Sequence, residues 1–139
     1  MQLDHEKLDV YGHALDFMAQ ADAVAGALPR GRGDLADQLR RASTSIVLNV
    51  AEGAGEFAPA DKARFYRMAR RSAIECAAVY DIAARLRLAP TPQLEAGRAE
   101  LLRIVSMLIG LVRGLARAGQ GQGQGQGHGG ASALRATRS

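Results

Sequence analysis

From Phe65 to Leu86 the chain steps by four and three residues in strict alternation: Phe65, Ala69, Ser72, Cys76, Val79, Ala83, Leu86. An average step of 3.5 keeps one stripe of a helix facing a neighbouring helix over several turns, and no β-strand reads this way. A helix with such a seam is not stable alone in water; it needs partners of similar length. The rest of the chain supplies them.

Tyr11, Ala14, Met18, Ala21, Ala25 and Leu28 recur at helical spacing and stop at "PRGRG", residues 29–33. Asp34 is the expected N-cap of a second helix. There Leu35, Leu39, Ala42, Ile46, Val50 and Gly53 share an arc of about 80° at 100° per residue. "GAGEFAP" ends it, and Pro59 suits the first turn of a third helix, expected over Ala60–Leu88, because its missing N–H costs nothing there. "APTP", residues 89–92, separates that helix from a fourth carrying Leu94, Leu101, Ile104, Val105, Leu108, Leu111, Val112 and Leu115. The apolar arc of the fourth covers nearly half its surface, more than one neighbour hides. Aromatic residues are 4% of the chain, so composition agrees with the periodicity. The expected fold is all-α: an antiparallel up-down-up-down four-helix bundle over residues 1–118, followed by a flexible Gly/Gln-rich tail over 119–139.

Several function classes are disfavoured. The oiliest run, residues 104–112, has nine residues, against about 20 for a bilayer span. The N-terminal residues carry charge throughout and lack the apolar core of a signal peptide, so a cytoplasmic protein is expected, with no membrane partner. Cys76 is the single cysteine, which rules out an internal disulfide and a cysteine-based zinc cluster. On the third-helix seam it reads as a small buried hydrophobe. No Glu has a His three residues on, so the di-iron bundle pattern is missing, and His5, His13 and His128 form no ligand set. "GRGDLA" and "GAGEFA" mimic a dinucleotide fingerprint, yet neither follows a strand. Neither metal, cofactor nor catalytic residues are expected; Glu52 with Glu75 is the one conceivable carboxylate pair. Net charge is +4, and without Arg135 and Arg138 it is +2 over residues 1–134, too little to argue for nucleic acid by itself.

Two local patterns stand out. Beside the apolar arc of the second helix runs a polar one: Gln38, Arg41, Ser45, Asn49 and Glu52. Asn49 is flanked by Ile46, Val47, Leu48 and Val50, so this ridge is expected to be sheltered, with Arg71, Ser72 and Glu75 of the third helix as its partners. The alternative is a solvated face with an ordinary Asp37–Arg41 pair. The second pattern is "DKARFYRMARR", residues 61–71, where Lys62, Arg64, Arg67, Arg70 and Arg71 place five positive charges in ten residues. With Phe65 turned to the core, Tyr66 is the one aromatic left to stack on a base. RNA contact through this face competes with a plain solvated surface.

"QLRRASTSIVLNVAEGAGE", residues 38–56, with "FYRMARRSAIE", residues 65–75, resembles the bacterial proteins first noticed as products of intervening sequences in 23S rRNA genes. Gln38, Arg40, Arg41, Ala42, Ser45, Ile46, Asn49, Val50, Ala51, Glu52, Gly53 and Gly55 carry the likeness, continued by Phe65, Ala69, Ser72 and Glu75; "LDVYGHA" at 8–14 is similar to the family's opening. Glu56 and Arg71 depart from it, standing where a basic residue and a glycine are usual. The resemblance implies a four-helix bundle assembling as a ring, commonly a homopentamer. It also implies kinship with the accessory protein of diversity-generating retroelements, which binds RNA and reverse transcriptase. A ring would cover the surplus apolar surface of the second and fourth helices. The competing expectation is a protein-binding oligomer with no nucleic-acid role.

Overall fold

The computed structural model describes residues 1–126, with side chains as far as Gly119. A short 3-10 turn, Asp4–Lys7, leads into four helices: α1 Asp9–Ala27, α2 Gly33–Gly55, α3 Pro59–Arg85 and α4 Thr91–Gln126. Among the described residues there is no strand. α1 packs on α2 and α4, and α3 packs on the same two, which makes a four-cornered bundle around one core. Side-chain bonds give the register. His13 reaches Glu100 and Gln20 reaches Gln93 between α1 and α4, so one numbering rises as the other falls. Gln38–Glu75 and Ser45–Ser72 run likewise between α2 and α3.

Helix boundaries follow local chemistry. The α1–α2 turn contains Gly31 at φ 95°, a backbone region that side chains disfavour. Pro59 opens α3 as its first residue. Asp34 does not cap α2: the helix starts one residue earlier, at Gly33, leaving Asp34 within the first turn, where its charge still favours the helix N-terminus. α3 stops at Arg85, short of the proline-rich loop. Arg87 adopts φ 57°, its N–H bonds the Ala84 carbonyl at 3.2 Å, and the Leu88 N–H bonds the Ala83 carbonyl at 2.8 Å. This is a Schellman stop with arginine in the seat glycine normally takes. α4 extends to Gln126, and from residue 127 the expected tail lies outside the described residues.

The core of α2 is as expected, with Leu39, Ala42, Ile46 and Val50 buried. The core of α3 differs. Ala69, Cys76, Val79 and Ala83 of the expected seam are buried, but the other buried row is Tyr66, Ala73 and Tyr80 rather than Phe65, Ser72 and Leu86. Sockets on neighbouring helices explain the exchange. A Cβ on Gly53 would lie 2.7 Å from Cε1 of Tyr66, and one on Gly97 would collide with the ring of Tyr80. Two glycines thus admit two tyrosines at close quarters. The Tyr80 hydroxyl donates to Oε1 of Gln20, so its burial strands no polar atom. Phe17 closes the other side of Tyr80, with ring centroids 5.7 Å apart.

No described helix is long and apolar enough to cross a membrane. Cys76 is fully buried, as expected, and burial, then the charge of Glu75, pushes its thiol up to about 12.

Candidate functional site

The polar ridge of α2 meets α3 along a seam. Oγ of Ser72 donates to Oγ of Ser45 at 2.9 Å, and Nδ2 of Asn49 donates to the Ser45 carbonyl at 2.9 Å and to its Oγ at 3.0 Å. One turn further out, Nε2 of Gln38 donates to Glu75 at 3.3 Å. Ser45, Asn49 and Ser72 are half-buried, while Gln38, Arg41, Glu52 and Glu75 are exposed. The ridge is therefore sheltered at its centre and wet at its ends. Ser72 and Glu75 supply partners across the seam, whereas Asn49 is satisfied within its own helix. Asp37 and Arg41 form no pair; Arg40 instead spans to Asp22 of α1 at 3.3 Å and lies 4.0 Å from Asp37.

The five cations of residues 62–71 do not form one uniform face. Nζ of Lys62 donates to the Ala54 carbonyl at 2.9 Å and, more weakly, to Gly53 at 3.4 Å. It caps the C-terminus of α2, where a positive charge is favoured. The Arg64 guanidinium lies over the Phe65 ring, 4.6 Å from its centroid, a contact worth about 0.5–1 kcal/mol at an exposed site. Arg64 and Arg71 are exposed, seven residues apart and so on one row; Arg67 and Arg70 are half-buried. Nη2 of Arg67 is buried with no hydrogen-bond acceptor. Tyr66 is 4% exposed, its hydroxyl pKa raised by burial, so it is not the stacking aromatic expected. The half-buried ring beneath Arg64 is Phe65.

Glu75 accepts from Gln38 while Glu52 carries no side-chain hydrogen bond among the described residues, so nothing there links the conceivable carboxylate pair. His13 contacts Glu100 across the bundle at 2.5 Å. Among the described residues no three His, Cys, Asp or Glu side chains are placed to hold a metal ion. A groove of about 590 Å³ between the start of α1, the start of α3 and the later part of α4 is lined mainly by Leu8, Val10, Met107, Leu111 and Leu115. Sequence reasoning missed it because Gly110, inside the apolar run 104–112, and Gly114, just past Arg113, do not announce a groove wall in the sequence.

These features define a small all-α bundle of four helices whose polar groups link α2 to α3 and place charge on the surface of α3. The family model described as 23S rRNA-intervening sequence protein matches residues 6–110, three-quarters of the chain, and the protein belongs to that family. Comparison with curated proteins finds no match.

Proposed function

We propose that the protein is a non-enzymatic cytoplasmic scaffold that assembles as a ring of five copies and binds RNA or nucleoprotein through α3. The observation that carries the nucleic-acid reading is the exposed row of Arg64 and Arg71, neither bonded to a carboxylate among the described residues. Lys62 is engaged at the end of α2 and contributes less than its charge suggests. Arg70, half-buried and about 100° round the helix from Arg71, lies off the row. Repetition around a ring multiplies a two-arginine row into a multivalent phosphate surface, with the steep salt dependence that counterion release imposes. The family resemblance and the exposed apolar side chains Ile74 of α3 and Leu102 of α4 support the ring.

The test is RNA binding by the wild-type chain and by R64E/R71E, measured by anisotropy across a salt series. Wild-type affinity should fall by at least tenfold between 50 and 200 mM salt if roughly three or more phosphates are neutralised, and the variant should bind weakly with a shallower slope. Absence of wild-type binding at the lowest salt refutes the nucleic-acid role and leaves a scaffold that binds protein alone.

A further inference from the structure

α2 stops at Gly55, whereas α4 continues to Gln126. Lys62, whose ammonium caps the last carbonyls of α2, also lines the 590 Å³ groove, so the groove begins where α2 ends. Its floor is the α4 row Met107, Leu111 and Leu115, each half-buried. Gly110 and Gly114 lie beside that row. A Cβ on Gly110 would meet nothing within 4 Å, and one on Gly114 would meet Nη2 of Arg117 at 3.8 Å. Gly53 and Gly97 make room for tyrosine rings of this chain; Gly110 and Gly114 make room for none. Each still costs helix stability relative to alanine. The space they open is kept for something other than a side chain of the bundle.

The rim supplies charge. Lys62 has three N–H donors; the Ala54 and Gly53 carbonyls take two, and the third is left for a ligand. Lys7 adds a second ammonium, 3.8 Å from Asp4 at the surface. Asp9 is the one carboxylate among the lining residues, so the rim is positive on balance. An apolar floor beside spare ammonium donors suits a ligand with an oily body and an anionic head, and the volume falls within the ~300–1,000 Å³ of small-molecule sites. From Met107 to Leu115 the floor is about 12 Å long at ~1.5 Å per residue. An extended alkyl chain advances roughly 1.25 Å per carbon, the projection of a ~1.5 Å C–C bond, so about ten carbons cover it.

We propose that this groove binds a fatty carboxylate of medium length, its alkyl chain lying along Met107, Leu111 and Leu115 and its carboxylate accepting from Lys62 and Lys7. Residues 127–139 of the chain itself suit the groove less: Leu134 is their one large apolar residue, and Arg135 and Arg138 would bring positive charge to a positive rim. An RNA strand would satisfy the lysines and leave the apolar floor uncovered. The site requires neither the arginine row of α3 nor a ring, and stands or falls apart from both.

Titration calorimetry of the full chain with dodecanoate, below its micelle concentration, tests the site. Dodecanol serves as the uncharged ligand of equal length, and K7E and G110L are measured beside wild type. Lys7 and Gly110 are exposed and the Cβ position of Gly110 is open, so both variants keep wild-type helicity by circular dichroism. Wild type should bind one dodecanoate per chain. Dodecanol on wild type, and dodecanoate on K7E, should each bind about tenfold more weakly, the loss expected of one charged hydrogen bond. G110L should lose binding, because the leucine side chain takes the place of the alkyl chain. A wild type that gives no saturable heat, or a G110L that binds as well as wild type, overturns the site. Equal affinity for dodecanoate and dodecanol overturns the lysine-held carboxylate. A G110L chain whose mass by light scattering differs from wild type assigns the groove to a second copy of the chain and refutes the proposal.

Discussion

Gly97→Ala tests the packing scheme most directly. Gly97 is buried within α4, where alanine should gain about 0.5–1 kcal/mol from helix propensity alone. The added Cβ, however, would lie 2.6 Å from Oε1 and 3.0 Å from Nε2 of Gln20, besides colliding with the Tyr80 ring. Neither neighbour yields easily. Tyr80 is 1% exposed and backed by Phe17, and Nε2 of Gln20 is held by the Gln93 carbonyl at 2.7 Å. Overpacking costs about 1–3 kcal/mol, and a displaced Gln20 forfeits hydrogen bonds worth about 0.5–1.5 kcal/mol each. Less the propensity gain, the net loss is about 2–3 kcal/mol, or roughly 8–12 °C in melting temperature at about 4 °C per kcal/mol. Gly12→Ala is the control: Gly12 lies in α1 with nothing within 4 Å of its Cβ position, so the propensity gain should appear undiminished. Paired thermal and urea melts decide the matter. If G97A is as stable as G12A, the glycine is not a socket and the account of the tyrosine core fails.

Further expectations concern capping, ionisation and the seam. Arg87→Gly should raise stability by about 1 kcal/mol, since glycine bears the left-handed φ of 57° without a Cβ penalty; an unchanged urea midpoint refutes the strain. Cys76 should resist thiol reagents in the native state and react at the rate of global opening, and fast labelling of the folded protein contradicts its burial. Because its folded pKa is raised to about 12 from 9.0, the native state favours the protonated thiol, and that stability is intact below pH 9. It is lost progressively as pH rises from about 9 to about 12, where the unfolded chain ionises first; Cys76→Ala should flatten this alkaline loss. Ser72→Ala should cost about 0.5–1.5 kcal/mol by removing the donor to Ser45, while exposed Glu52→Ala should leave the melting temperature within about 1 °C.

The helices were legible because their signals are local. Apolar spacing, Pro59 and the glycines near Gly31 act within a few residues, and α2 shows its core face almost without error. What failed depended on neighbours. Phe65 and Tyr66 differ by one step of the helix, and apolarity alone favours phenylalanine for the interior; the choice falls to tyrosine because Gly53, on another helix, vacates the space for its ring. Gly53 itself reads from sequence as the end of a helix, and its second use is invisible there. Arg87 hid the end of α3, because the stop depends on φ rather than on a residue type that announces it. The cation cluster was visible as composition, but its division into a cap, a ring contact and two half-buried arginines required the carbonyls of Gly53 and Ala54 and the packing around α3.

The α2–α3 seam bears on a difficulty peculiar to a core this rich in alanine. Buried Ala42, Ala63, Ala69, Ala73 and Ala83 present shallow relief, and hydrophobic burial is non-directional, so a one-turn slip between such helices forfeits little apolar area. Directional contacts discriminate where area does not. Displacing α3 by one turn would separate Ser72 from Ser45, withdraw Tyr66 from Gly53 and pull Lys62 off the end of α2, three losses at three heights along the same pair of helices. Each is worth only about 1 kcal/mol, but a slipped state must forgo all of them together, and half-buried hydroxyls would then pay desolvation with nothing in return. Asn49 belongs to this arrangement by holding the Ser45 hydroxyl and carbonyl, which orients that hydroxyl to accept from Ser72. The polar residues in the oily turns of α2 thus set the height of α3 on the bundle, and with it the height of the Arg64 and Arg71 row.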